Sequence, residues 1–244
     1  MSIVRFFGRA SMAFGILAAA ACGAETPAAK SADASPSGAA TTGHAIHEDG
    51  GASVFVVHEV KDFEAFKTYL EQGQEERDQM GVLGYILTRL DDGRVVIHFF
   101  AHDLTQVDNA LKSERMQNYF EREGAPDSSL VWLVRDEAVG LPARPLQGKT
   151  FSLFFKLKTP DFAAFKQAFD ERTAVYTEQS VIAYGVHRST VQDDMVILHF
   201  VGTDHDKLGA LPARSEFVEV LALAGGPESA KPLLGEDVVR VRAP

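Results

Sequence analysis

Residues 62–67 read DFEAFK, and residues 161–166 read DFAAFK. Five of the six positions are identical, and the two segments lie 161 − 62 = 99 residues apart. A segment that recurs further along the same chain indicates a duplicated unit. The search for the fold therefore begins with the residues on either side of these two segments.

The correspondence continues in the same order along the chain. The two residues added in the second copy fall in a turn between strands, where an insertion costs little stability. We assign the first unit to residues 53–140 and the second to residues 148–244, joined by a segment rich in Pro and Gly. The later matching pairs are Tyr85 with Tyr184, Arg89 with Arg188, and His98 with His199.

Each unit predicts the element order βαββαβ, the ferredoxin-like unit. Asp62 and Asp161 are suited to cap the first helix, and alternating strands flank a turn at residues 91–93. The third strand is apolar on both faces in each unit, so both faces should be buried. One face is covered by the unit's own helices, and the other requires a second sheet. We therefore predict an α+β fold, with the two units packed sheet to sheet.

These motifs resemble the dimeric α+β barrel superfamily, and within it the small proteins similar to antibiotic-biosynthesis monooxygenases. The resemblance rests on the DFxxFK segment, the GYxxxR strand of residues 84–89 and the VxHF strand of residues 96–99. Such proteins are usually homodimers of one unit, so the resemblance implies an intramolecular pseudo-dimer that is monomeric. The superfamily contains oxygenases, haem-degrading enzymes and members with no established activity, so the fold leaves the function open.

Composition excludes several classes of function. The chain of 244 residues has 24 Lys and Arg against 34 Asp and Glu, a formal charge of −10. An acidic protein lacks the basic surface that binds a phosphate backbone, so we expect no nucleic-acid partner. The sequence has no dinucleotide, phosphate-loop, serine-hydrolase or zincin motif. We expect neither a metal nor a cofactor.

The first residues predict export. Arg5 and Arg9 precede an apolar stretch of about twelve residues, as in a secretory signal. The chain's single cysteine, Cys22, follows three alanines, and this arrangement resembles a bacterial lipoprotein signal. We predict a signal peptide over residues 1–21, a lipid on Cys22, a flexible tether over residues 22–52, and a location at the membrane of the cell envelope. The lipid would be the only contact with the membrane, and the alternative is a plain secretory signal with an incidental cysteine.

The duplicated polar residues are the first candidates for a ligand pocket. Arginine offers a fixed fork of donors for an acidic group, and histidine can act as a general base. The alternative is that these residues only pack. His58 is added because the first strand neighbours the third in this topology, so we expect His58 to approach His98. The candidate pocket residues are Tyr85, Arg89, His98, His58, Tyr184, Arg188 and His199.

Two functions remain open from the sequence. The first is a lipid-tethered module that binds a small aromatic or acidic molecule or acts as a scaffold. The second is a cofactor-independent monooxygenase acting on small aromatic or phenolic substrates. The resembling oxygenases often use Asn and Trp in the pocket, and here Asn109, Asn118 and Trp132 have no counterpart in the second unit. We therefore favour the binding module. Of the two candidate pockets we nominate that of the first unit, with Tyr85, Arg89 and His98, as the functional one.

Overall fold

The computed structural model describes residues 51–79, 81–101, 103–114, 118, 130–140 and 148–242. The predicted signal peptide, Cys22 and almost all of the predicted tether lie outside these residues. No described helix is long and apolar enough to cross a membrane.

The described part of the first repeat follows the predicted order. Its elements are β1 (Ala52–His58), α1 (Phe63–Gln72), α2 (Gln74–Gln79), β2 (Val82–Leu90), β3 (Val95–Ala101), α3 (Leu104–Leu111) and β4 (Leu130–Gly140). The helix predicted over residues 104–122 is present as α3, and the remainder of that prediction lies largely outside the described residues.

The second repeat has the same order. Its elements are β5 (Thr150–Lys158), α4 (Phe162–Asp170), α5 (Thr173–Glu178), β6 (Val181–Ser189), β7 (Met195–Gly202), α6 (His205–Ala210), α7 (Ser215–Ala222) and β8 (Leu233–Arg242). The apolar pattern of the sequence predicts one continuous helix over residues 206–224, and this prediction is wrong. A short 3₁₀ turn, Leu211–Ala213, separates α6 from α7. Pro212 lies in this turn, because proline cannot supply the backbone N–H that a continuing helix needs.

The repeated DFxxFK segment forms the same helix start twice. Asp62 accepts a hydrogen bond from the backbone N–H of Ala65, and Asp161 accepts one from Ala164, each at 3.0 Å. These are N-caps, which satisfy a backbone donor that the helix leaves unpaired. Both helices bury the apolar positions that follow the cap, and the predicted caps are confirmed. The buried positions are Phe66 and Leu70 in α1, and Phe165 and Phe169 in α4.

The eight strands form one closed barrel, in the order β1-β3-β2-β8-β5-β7-β6-β4. Each repeat contributes a four-stranded ferredoxin-like sheet, and the sheets are hydrogen-bonded to each other along both edges. We call the β2–β8 pairing the first seam and the β4–β6 pairing the second seam. The predicted pseudo-dimeric α+β barrel is confirmed, and the seams make it a continuous cylinder rather than two stacked sheets.

The last strand of each repeat is longer than predicted, because it serves both sheets. The first part of β4 pairs with β1 of its own repeat, and the later part pairs with β6 of the other. The sequence predicts this strand over residues 130–135 only, and residue 135 is close to where the pairing passes from one repeat to the other. The strand β8 makes the same change between β5 and β2.

The helices cover the outside of the barrel, and a separate core fills the inside. The outer core of the first repeat includes Phe66 and Leu87, and that of the second repeat includes Phe169 and Phe217. The inner core is shared between the repeats. Its fully or nearly buried members are Phe55, Val57, Leu90, Val96, Trp132, Val134, Phe154, Met195 and Ile197.

Candidate functional site

Most of the predicted pocket residues face the helices rather than the barrel interior. Tyr85 and Tyr184 pack in the outer cores of the first and second repeats. Burial raises the pKa of Tyr85, so its phenol stays protonated. Arg89 lies over the ring of Phe63 at 4.9 Å, and Arg188 lies over Phe162 at 5.1 Å. The duplicated Tyr and Arg residues share one face of their strands, and that face is the outside of the barrel rather than the predicted pocket.

His58 also faces outward and does not approach His98. Its ring lies 5.8 Å from that of Phe66, a residue of the outer core. On β3, His98 lies between Ile97 and Phe99, which are both outer-core residues, so His98 points inward. The two histidines are therefore on opposite faces of the same sheet. Burial lowers the pKa of His58 to about 4, so this side chain is neutral at pH 7.

His98 and His199 come together inside the barrel. Their ring centroids are 5.1 Å apart. Each stacks on the phenylalanine opposite it on the neighbouring strand, His98 on Phe55 at 4.0 Å and His199 on Phe154 at 4.4 Å. The duplication has thus placed two matching Phe–His stacks in contact at the middle of the molecule.

His199 is held as a neutral hydrogen-bonded side chain. Its Nε2 lies 2.9 Å from the hydroxyl of Ser152. Burial lowers the pKa of His199 well below its usual value, and His187 and Arg240 lower it further. A cationic imidazole at this position would have to be desolvated beside another positive group.

A third interior histidine, His187, pairs with Asp136, and neither residue is among the pocket residues predicted from the sequence. The Nδ1 atom of His187 lies 2.6 Å from Oδ1 of Asp136, and each side chain is only 3% exposed. Because a carboxylate can only accept, Nδ1 carries the proton and donates it, and in the neutral ring the lone pair is then on Nε2. That Nε2 is buried and has no hydrogen-bond partner among the described residues.

Gly185 gives the His187 ring its room. A Cβ at residue 185 would lie 2.3 Å from Nε2 of His187, which is far inside van der Waals contact. The rings of Phe55 and His98 lie 5.0 and 5.4 Å from the ring of His187. The unbonded nitrogen therefore lies in a cluster of aromatic rings that joins both repeats.

The first seam carries a different polar cluster, centred on Asp237. The carboxylate accepts hydrogen bonds from Thr88 at 2.8 Å, from Thr150 at 3.0 Å, and from Nη2 of Arg240. Arg240 lies between two outer-core residues of β8, Val239 and Val241, and therefore points inward.

Two donor nitrogens of Arg240 make no hydrogen bond to the described residues. Its Nη2 is bonded to Thr150 and Asp237, whereas Nε and Nη1 are buried without a hydrogen-bond partner in the described part of the chain. The side chain is still 24% exposed. It therefore lies where solvent meets the interior.

The missed residues had a signal in the sequence. Asp136 and Asp237 are 237 − 136 = 101 residues apart, the same spacing that relates His98 to His199. In addition, placing Tyr184, Val186 and Arg188 on one face of β6 requires His187 to lie on the other. The repeat alone does not single out His187, because its counterpart at a spacing of 99 is Thr88.

The interior offers ligand contacts rather than a metal site. No group of three or more His, Cys, Asp or Glu side chains in the described ranges has an arrangement that could hold a metal ion. What the interior does present is an acceptor nitrogen on His187, two unused donor nitrogens on Arg240, and walls of Phe, Trp and His. These groups suit a small aromatic molecule with an acidic substituent.

Comparison with known proteins identifies the fold. No family model matches the chain, and no curated protein matches it. Among solved structures, a proposed monooxygenase from Fusobacterium nucleatum is 13% identical, with 80% of this chain and 96% of that chain covered and a TM-score of 0.61. An anthrone oxidase-like protein is 12% identical, with coverages of 80% and 94% and a TM-score of 0.57.

A third solved structure is also similar in fold. A ferredoxin-fold protein from Listeria monocytogenes, related to antibiotic biosynthesis monooxygenases, is 8% identical, with coverages of 80% and 99% and a TM-score of 0.51. At these identities the likeness shows the fold alone. The chain has the dimeric α+β barrel fold of antibiotic-biosynthesis-monooxygenase-like proteins, with both units in one polypeptide.

Proposed function

We propose that this protein binds a small aromatic molecule with an acidic or phenolic group at the interior of its barrel. The observation that carries the proposal is Arg240, whose Nε and Nη1 are buried and unbonded within the described residues. Buried donors without partners cost about 1–3 kcal/mol each, and a ligand acceptor would recover that free energy. The adjoining Phe and His rings supply apolar contact for the rest of such a ligand.

The charges at this position favour an acidic ligand. Arg240 is the cation, and Asp237, the carboxylate bonded to it, also accepts hydrogen bonds from two threonines. His199 is neutral, so Arg240 is the group that supplies positive charge to the ligand here. The unbonded Nε and Nη1 lie on different edges of the guanidinium, and each can donate to an oxygen of a carboxylate or a phenolate.

A thermal-shift experiment tests this function, because a ligand of the native state raises the melting temperature by mass action. Salicylate and 4-hydroxybenzoate should raise it in the wild type, whereas benzamide should not. Arg240→Lys keeps the charge beside Asp237 but removes the fork, so the shift should be lost. Arg89→Lys is the matched control on the outer face and should keep it. No shift with any acid or phenol, or equal loss in both variants, would overturn the proposal.

A second candidate function is oxidation of an aromatic substrate by dioxygen without a cofactor. Two structural neighbours are described as a monooxygenase and as anthrone oxidase-like. Trp132 lies in the inner core, as an aromatic pocket would need, whereas Asn109 is exposed on α3. With anthrone as the probe, one dioxygen would give the quinone and one water. Oxygen uptake that Arg240→Lys abolishes would support this function, and no uptake above the rate without protein would exclude it for anthrone.

We further propose that the barrel is exported and tethered to a membrane of the cell envelope through a lipid on Cys22. The support is the arrangement of Arg5, Arg9, the apolar stretch and the single cysteine. The protein should label with palmitate and partition into detergent, and Cys22→Ala should abolish both. Equal membrane retention of the wild type and Cys22→Ala would contradict lipidation.

A further inference from the structure

The two seams of the barrel are built alike but carry different chemistry. Asp136 and Asp237 occupy matching places on β4 and β8, each facing the second strand of the other repeat. At the first seam Asp237 meets Thr88, and its carboxylate is bonded by three side chains. At the second seam Asp136 meets His187. The second seam is therefore the one that pairs a carboxylate with a titratable partner.

We propose that His187, positioned by Asp136, accepts the proton of a phenolic ligand and holds that ligand as its phenolate. The inference rests on the proposed binding function and adds to it the protonation state and the ligand class. Asp136 fixes the tautomer by accepting from Nδ1, so that the lone pair on Nε2 is the only place at which this ring can accept a proton.

The surroundings favour proton transfer at this histidine over the others. An imidazolium at His187 would remain bonded to the Asp136 carboxylate, which makes a charge-assisted pair. Among the described residues His199 has no carboxylate bonded to it. It lies against Ser152, with Arg240 adding to its positive surroundings. In the described residues, the titratable side chains around His187 are Asp136 on β4, His98 on β3 and His199 on β7. Arg240 on β8 acts on the same cluster because it lowers the pKa of His199.

The step balances in protons and charge. The phenol O–H bond breaks and an N–H bond forms at Nε2, so a neutral ligand and a neutral imidazole become a phenolate and an imidazolium. The phenolate oxygen then accepts the new N–H of His187, and the imidazolium stays paired with Asp136. No oxidant, metal or further reactant is needed.

This step sets the class of ligand. A carboxylic acid is already ionised at neutral pH and gains nothing from a base at Nε2. A phenol whose own pKa lies near or somewhat above the ambient pH is bound more tightly, because its ionisation is coupled to its binding. The site therefore selects weakly acidic phenols, and among them those that are protonated when free.

4-Nitrophenol is a suitable probe, because only its ionised form absorbs strongly in the visible range. We expect the full-length protein to lower the apparent pKa of the bound phenol by about one unit or more, which is a tenfold or greater change in the ionised ratio. His187→Gln should bind the probe without that shift, and Asp136→Asn should reduce the shift. His58→Gln changes a buried histidine on the outer face of β1 and should leave the shift intact.

The outcomes separate the two proposals. No binding of 4-nitrophenol by the wild type would overturn this inference, and the binding function falls with it only if salicylate and 4-hydroxybenzoate also give no thermal shift. Binding without a shift of the phenol pKa would overturn the inference alone. A shift that survives in His187→Gln would overturn it as well, because the proton would then go elsewhere. If His187→Gln does not fold, as judged by circular dichroism, Asp136→Asn decides: an unchanged shift contradicts the role of the pair.

Discussion

At the scale of single residues, the barrel interior is unusual for the polar groups that it buries between two apolar sheets. Burying a charge is costly unless it is paired and hydrogen-bonded. Asp237 meets this condition with three donors, and Asp136 meets it through His187. Polar groups placed in this way specify which strand of one repeat meets which strand of the other.

The Asp136–His187 pair gives a prediction about stability. His187→Leu removes the histidine that bonds a carboxylate only 3% exposed, so unfolding should become easier by about 1–3 kcal/mol. Asp136→Leu/His187→Leu removes both groups and should recover much of that loss. Urea denaturation of the single and double variants measures both. A loss below about 1 kcal/mol in His187→Leu would show that Asp136 is not held by this pair.

The buried histidines give a prediction about pH. The pKa of His58 is about 4 in the folded protein, and the unfolded value is near 6.5. The unfolded state therefore binds more protons below pH 6.5, and stability is lost as the pH falls from there towards 4. His58 should account for at most about 2 kcal/mol of the loss between pH 7 and pH 5. His58→Gln should flatten the dependence of the urea midpoint on pH over this range, and an unchanged slope would contradict a neutral buried His58.

At the scale of the elements, the seams are the part of the fold that the sequence conveys least well. The strands, the caps and the βαββαβ order follow from local patterns that each repeat shows twice. The end of β4 does not, because beyond residue 135 it pairs with a strand of the other repeat. For the same reason His98 and His199 were recognisable as candidates, while the neighbours of His187 were not, since they come from β4 and β3.

The arginines illustrate the same limit. A guanidinium near buried histidines was predicted from the sequence, but Arg89 and Arg188 lie over Phe63 and Phe162 on the outside. Arg240 supplies that group instead, from a strand whose register shifts between the residues that pair with Leu87 and Thr88. A bulge changes which residues face inward, and a simple alternation pattern does not reveal it.

Two glycines at the seams give a prediction that compares them. A Cβ at Gly235 would lie 2.2 Å from the backbone oxygen of Arg89, whereas a Cβ at Gly140 would meet the ring of Tyr184 at 2.2 Å. A side-chain ring can rotate away, but a paired backbone strand cannot move without opening the first seam. Gly235→Ala should therefore destabilise the protein more than Gly140→Ala does, as measured by the urea midpoint. Equal effects, or the reverse order, would mean that the first seam is not closely paired.

At the scale of the whole molecule, the two repeats complete each other. The inner core takes Phe55, Val96 and Trp132 from the first repeat and Phe154 and Ile197 from the second. Each such side chain contributes about 1.5–3 kcal/mol when buried. Neither sheet can bury its inner face or pair its edge strands alone.

A single repeat should therefore associate with itself. Residues 148–244 expressed alone would expose Phe154 and Ile197 and leave β6 and β8 without their partners across the seams. We expect dimers or larger aggregates in multi-angle light scattering, whereas the full chain should be monomeric. A stable monomer of this single repeat would show that its inner face does not need the other sheet.

The most direct test of the shared barrel is the cooperativity of unfolding. Trp132, the single tryptophan of the chain, lies in the inner core and reports through fluorescence, while far-ultraviolet circular dichroism reports on the strands and helices of both repeats. One closed barrel predicts a single urea transition with the same midpoint and slope by both probes. Two transitions by circular dichroism, with Trp132 following only one of them, would show that the repeats fold as separate units and would contradict the shared interior on which the proposed site depends.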